Sequence, residues 1–224
     1  MRQGIILGAL LTVCFGLSAG LGTAGETIVL LTSRSNAADK DVIADFTAET
    51  GIAVEIVEGK PEELVERITK GEEPADLFMT VDGGILDQAK GVVEGAADVA
   101  IMNSYYIGRM LTSKDSAEVA VGEAIGVFFP DQDGAGTHIN ICGIGLTKNA
   151  KNPEAAVKLV EYLVSVPPQE KLSEGNYEFP VNPKAKKAPL LAGWGDFKAQ
   201  QIDFAELRKF KSEAKRIFEE STWK

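Results

Sequence analysis

Two adjacent tyrosines, Tyr105 and Tyr106, follow Asn103-Ser104 at the end of a short apolar run, Asp98-Val99-Ala100-Ile101-Met102. The run reads as a buried strand, and strand ends are where open α/β folds present binding groups. A phenol becomes an oxygen ligand once it loses its proton. Its ordinary pKa is about 10, so only a strongly charged cation would hold it ionised at neutral pH. Ferric iron, hard and oxygen-seeking, is such a cation. The same spacing suits an aromatic pair packed at a domain edge, and the two residues alone do not separate these readings.

The other chemistry-bearing residues give less. A nucleophile and a base could be supplied by Cys142 and His138. Four residues apart on an extended segment, their Cα atoms would stand roughly 13 Å apart at ~3.3 Å per residue, beyond hydrogen-bond reach. With one histidine in the chain, no Gly-x-Ser-x-Gly and no phosphate loop, the sequence does not read as an enzyme. His138 reads as a hinge or core residue. Asp131-Gln132-Asp133-Gly134 has the look of a calcium loop, but Cys142 stands where the twelfth, acidic ligand belongs, so that reading is rejected.

The elements that must position these residues begin after a leader. Arg2, the apolar stretch Ile5 to Leu17 and the small residues Gly22-Thr23-Ala24 form a secretory signal over residues 1–24; an uncleaved anchor is the alternative. Cys14 lies within it, and Val13 makes Leu11-Thr12-Val13-Cys14 a poor lipidation site. Cys142 is then alone, and stability must come from packing rather than a disulfide. The chain of 224 residues is 45% hydrophobic with a formal net charge of −10. It can build a core, and its acidity argues against nucleic acid, whose phosphates require Lys and Arg. It is compatible with a protein that binds cations.

Thr27 to Thr32 is a continuous β-branched and Leu run, expected to be a strand buried on both faces. A helix over Asn36 to Thr50 carries Ala38, Val42, Ile43 and Phe46 on one stripe and stops at Gly51. Ile52 to Val57 is a second strand, Pro61 opens a second helix with Leu64, Val65 and Ile68 as its stripe, and Pro74 to Thr80 is a third strand. This βαβαβ order implies a parallel sheet. Ile85 to Val93 reads as helical. Ile107 to Leu111 continues past the tyrosines, Ile125 to Phe129 is a further apolar run, and Ile139 to Thr147 is extended. Asn152-Pro153-Glu154 starts a helix with Ala156, Leu159, Val160, Leu163 and Val164 inside, broken by Pro167-Pro168. Pro180 to Pro189 is an exposed Lys- and Pro-rich segment, and Glu206 to Glu220 is a charged helix packing one narrow face.

Several segments, in order, resemble the bacterial periplasmic ferric-iron-binding proteins of ABC transporters. These are Thr47 to Ile52, Pro74 to Asp82, Gly95 to Ala100 leading to Asn103-Ser104-Tyr105-Tyr106, Gly136 to Asn140, Asn176 to Pro183, and the terminal Trp223-Lys224. The resemblance implies an α/β, periplasmic-binding-protein-like fold: a mostly parallel sheet flanked by helices, one lobe plus a remnant of the second. Residues 25–90 and 125–200 would form the main lobe, 91–124 the remnant, and 201–224 a C-terminal helix. It implies capture of Fe(3+) with a synergistic anion, and delivery by a periplasmic monomer to an ABC-transporter permease. Tyr105 and Tyr106 would be metal ligands and Asn103 an anion contact. Asp82 stands where an acidic group approaches the metal, and Arg34 where a cation holds the anion. Two departures stand out. Asp87 to Lys90 runs directly into Gly91 to Glu94, so a large central block is missing. Ser33-Arg34-Ser35-Asn36 replaces the family's Ser-Arg-His-Tyr, removing two ligands. The alternatives are a non-transporting remnant with a broken iron site, or an anion or small-molecule binder using Arg34 and the tyrosine loop.

Overall fold

The computed structural model describes residues 27–34, 36–70, 75–80, 99 and 101–221. The strands β1 (Thr27–Thr32), β2 (Ala53–Glu58), β3 (Leu77–Thr80) and β4 (Gly143–Leu146) form one sheet in the order β2-β1-β3-β4. β1 runs parallel to both of its neighbours, with Leu30 opposite Ile56 on one side and Leu77 on the other. β4 is antiparallel to β3 and pairs Phe78 with Gly145.

Side chains alternate across a strand, and here the alternation sorts two apolar faces. Ile28 and Leu30, Val54 and Ile56, Leu77 and Met79 point to one face. Val42, Ile43 and Phe46 of helix α1 (Ala37–Thr50) cover it, with Ala155, Ala156, Leu159 and Leu163 of α5 (Pro153–Leu163). Val29, Leu31, Val57 and Phe78 point to the other, where Leu64 and Ile68 of α2 (Pro61–Lys70) meet them. A run apolar at every position is therefore what β1 needs. α1 ends where Gly51 turns left-handed, φ 73°, and returns its N–H to the Thr47 carbonyl. A Cβ would strain that position.

Asp76, buried just before β3, ties the layers together. Its carboxylate accepts the Val29 N–H at 2.9 Å and the Asn152 N–H at 2.8 Å, joining β1 to the start of α5. The Asn152 side chain donates to the Thr27 carbonyl at 2.8 Å, and the Thr147 hydroxyl donates to the Ala75 carbonyl.

Beyond the sheet lie α3 (Tyr105–Leu111), α4 (Ser116–Ala124), α6 (Val166–Asn176), α7 (Pro189–Gly193) and α8 (Phe204–Glu220). Ile107 and Met110 of α3 centre a separate cluster with Leu111, Val121, Ile125 and Trp194. α6 lies against α1 so closely that a Cβ on Gly175 would meet Ala38.

Some expectations change. The run ending at Met102 is not a buried strand: Val99, Ile101 and Met102 are in no element, and Val99 and Ile101 are 80% and 81% exposed. The run Ile107 to Leu111, which continues past the tyrosines, is helical; its apolar residues are three and four positions apart and bury as a helix face. Pro167-Pro168 does interrupt the helical run, but it opens a second helix, α6, because proline suits a first turn. The narrow packed face expected on α8 would draw on Phe204, Ala205, Leu207 and Phe218, whose side chains lie outside the described residues. The leader, the helix expected over Ile85 to Val93, and Asp82 lie outside the described residues.

Candidate functional site

The tyrosines open α3. The turn before them is closed by the Tyr106 N–H on the Asn103 carbonyl at 3.2 Å and the Ile107 N–H on Ser104 at 3.1 Å. Tyr105 and Tyr106 thus stand on a helical first turn, not at a strand end. Ile107 and Met110 bury into their cluster and fix the helix, and Tyr106 is itself only 5% exposed. The two rings are in contact, centroids 4.3 Å apart and tilted by 37°. Burial pushes the half-buried Tyr105 phenol above its ordinary value; the hydrogen-bonded Tyr106 phenol pushes it further, while a hydrogen bond from Asn103 opposes this. The Tyr105 phenol stays neutral in water, and ionising it calls for a cation that offsets the desolvation of the phenolate.

Arg34 occupies the loop between β1 and α1 and is 5% exposed. Its Nε and one terminal nitrogen donate to Asp39 at 3.0 and 2.8 Å. The two terminal nitrogens donate to Glu178 at 3.0 and 2.8 Å, and one also reaches the Cys142 sulfur at 2.7 Å. Burial works against the charge, but the bonds to Glu178 and Asp39 outweigh it and hold the guanidinium charged. All five N–H groups of an arginine are thereby engaged, so an anion reaches Arg34 only by displacing one of these partners. Asn176 joins the cluster, donating to Asp39 at 3.2 Å. Cys142 is an exposed residue, but partial desolvation of its sulfur pushes the thiol up; Arg34 opposes that, and Glu178 adds to it, leaving the group at about 11.

Tyr177 lies between the two groups. It ends α6 in the left-handed region, φ 58° and ψ 37°, with its N–H on the Ser173 carbonyl at 3.0 Å. This turn sends the Asn176 and Glu178 side chains into the Arg34 cluster and the Tyr177 ring onto α3 at Gly108. A Cβ on Gly108 would stand 2.7 Å from the ring's Cδ2 and closer to its Cγ.

The structure therefore brings Tyr105, Tyr106 and Asn103 together and places Arg34 in a second group beside them; the Cys142 thiol is close enough to Tyr105 to raise its phenol. His138 is no core residue: it is exposed, with Nδ1 3.3 Å from Gln200 Oε1. Among the described residues no group of three or more His, Cys, Asp or Glu could hold a metal. Sequence reasoning missed Asp39 and Glu178. Asp39 could have been noticed, since it shares a helix face with Val42 and Phe46, an acid in an apolar stripe.

This architecture is an α/β, periplasmic-binding-protein-like fold. A family model of bacterial extracellular solute-binding proteins matches residues 29–109, a span that includes the tyrosine pair. It is 42% identical over 137 residues to iron uptake protein A1 of Synechocystis sp., and 37% identical over 144 residues to iron uptake protein A2 of the same organism. These alignments take in 61% and 63% of this chain but 38% and 42% of the relatives, so the chain spans about two fifths of the length of the curated relatives it matches. Among solved structures, Trichodesmium IdiA (FutA) in complex with iron and citrate superposes with a TM-score of 0.84 at 25% identity, covering 88% of this chain and 100% of that one. The ferric binding protein of Campylobacter jejuni gives 0.79 at 24% identity, with 88% and 100% covered, a likeness of fold.

Proposed function

We propose that this chain is a periplasmic solute-binding protein that captures ferric iron for import through an ABC-transporter permease, binding rather than transforming its solute. The observation that carries this reading is the contacting pair of phenols on the first turn of α3. They are partly desolvated, hydrogen-bonded to each other and flanked by Asn103. Two phenolates are hard, anionic oxygen donors suited to Fe(3+). Tyr105 and Tyr106 act as metal ligands, and Asn103 stands where it can hold an accompanying anion. Asp82 and Arg34 are the further contacts proposed, Arg34 by giving up Cys142 or Glu178 to the anion. The names of the relatives, both iron uptake proteins, support the same solute. Export through the leader and action as a monomer complete the proposal.

Ferric citrate added to the purified protein should produce a visible phenolate-to-iron charge-transfer band. Tyr105→Phe and Tyr106→Phe each remove one oxygen and keep the ring, so the band should weaken while the fold persists. Affinity should fall as pH drops, because protons compete for the phenolates. Iron binding that survives both substitutions unchanged would overturn the assignment.

A second reading has its own observation: the matched stretch takes in only 38% and 42% of the relatives. A chain lacking most of a closing lobe would be a folded, non-transporting remnant, and the absence of any band with ferric citrate would favour it.

A further inference from the structure

The contact between Tyr177 and Gly108 joins two local choices that are each unfavourable alone. A tyrosine in the left-handed region is crowded by its own Cβ, and Tyr177 stands there at φ 58°. A glycine inside a helix gives up the propensity that alanine would supply, and Gly108 lies in the middle of α3. Each pays off only through the other: the left-handed turn aims the ring, and the bare Cα receives it. Strain kept in this way points to a role for the contact.

We propose that Tyr177 is a positioning residue for the tyrosine pair, its ring wedged against Gly108 so that the rotation of α3, and with it the direction of the Tyr105 and Tyr106 side chains, is set from the Arg34 cluster. The inference rests on the ferric reading for its purpose and on geometry for its mechanics. Gly108 follows Tyr105 by three residues, so the two share a helix face. A ring pressed on Gly108 therefore fixes the face that carries the Tyr105 phenol. The wedge is anchored from behind. Asn176 and Glu178, on either side of Tyr177, are bound to Asp39 and Arg34 at 3.2 Å and at 2.8 and 3.0 Å, and these belong to the loop and helix that follow β1. The Tyr177 side chain thus links the elements that hold the Arg34 cluster to the tyrosine helix.

Gly108→Ala tests this without changing any aromatic residue. The added methyl must drive the Tyr177 Cβ and ring back by about 1.2–1.7 Å to reach van der Waals distance, and supporting residues around a metal typically change affinity about 10–100-fold. The expected result is a ferric affinity lowered about 10–100-fold, with a displaced charge-transfer band. In the Tyr105→Phe background the same substitution should have a much smaller effect, because the residue that it misdirects is gone. Tyr177→Gly, which accepts the left-handed turn and removes the ring, should also lower affinity, and it decides the matter if Gly108→Ala does not fold. Near-ultraviolet circular dichroism of the iron-free protein supplies an arm that needs no metal: the signal of the contacting tyrosine pair should change in Gly108→Ala. Wild-type protein without a ferric band but with that change would sink the ferric reading and keep the wedge. Variants that fold with wild-type affinity, band and dichroism, or additive effects of Gly108→Ala and Tyr105→Phe, would overturn the wedge.

Discussion

The Arg34 cluster makes a quantitative demand on stability. Arg34 and Asp39 side chains are 4% and 7% exposed, whereas Glu178 keeps 24%. Asp39→Ala removes two short bonds to a buried cation and one to the buried Asn176. Stripping a buried charge of its whole partner costs about 3–5 kcal/mol. Glu178 still neutralises Arg34 in this variant, so we expect less, about 2–3 kcal/mol. Glu178→Ala opens the wetter side and lets water reach the guanidinium; about 1–2 kcal/mol follows. The double variant leaves Arg34 with no carboxylate and should exceed the sum of the two single losses by at least about 1 kcal/mol. Urea unfolding followed by circular dichroism measures all three. In thermal scans Asp39→Ala should lower Tm by roughly 4–12 °C for a chain of this size. A loss below about 0.5 kcal/mol for Asp39→Ala, the range of ordinary surface changes, would refute the view that the cluster is a buried ion network. So would single losses that simply add.

Three further outcomes follow from the packing. Phe46, fully buried on α1 and 5.4 Å from the Tyr162 ring, should cost about 3–5 kcal/mol on truncation to Ala, read as a shifted urea midpoint. Asp76→Ala strips partners from the Val29 and Asn152 N–H groups and should cost about 2–4 kcal/mol, with lost hydrogen-exchange protection at both amides. Cys142, its thiol pushed up to about 11 by partial desolvation and by Glu178 against the pull of Arg34, should react with iodoacetamide at a rate that keeps rising well past pH 9.0, since only the thiolate attacks. A rate already level near pH 9 would show an unperturbed thiol.

How legible all this is in the sequence depends on range. β1, α1, β2 and α2 follow from signals within one element: the unbroken apolar run at Thr27 to Thr32, the stripe through Val42 and Phe46, Gly51, and Pro61. The tyrosines are visible as residues but not as a helix. Ile101 and Met102 made the segment look like a strand entering the core, whereas the apolar residues that bury are Ile107 and Met110, one helical turn apart. Pro167-Pro168 is ambiguous for a related reason, since proline ends one helix and begins another with equal ease. The Arg34 cluster is beyond local reading altogether. Its partners lie 5, 108 and 144 residues along the chain, and no periodicity connects them. The wedge at Tyr177 depends on a backbone dihedral that tyrosine rarely adopts.

The antiparallel placement of β4 beside β3 has a consequence for how such a chain can change length. Among the described residues, the sheet is joined on the far side of the Thr80-to-Gly143 connection through four residue pairs, Thr80 with Gly143 through Leu77 with Leu146. Those pairs, with Asp76 clasping Asn152 beyond them, set the register from within the lobe. An excursion of any length can be spliced between the two strands without sliding one against the other, because the entropy of closing it grows only with the logarithm of its length. Evolution can therefore trim or enlarge everything outboard of this seam while the lobe that carries the Arg34 cluster folds by the same contacts.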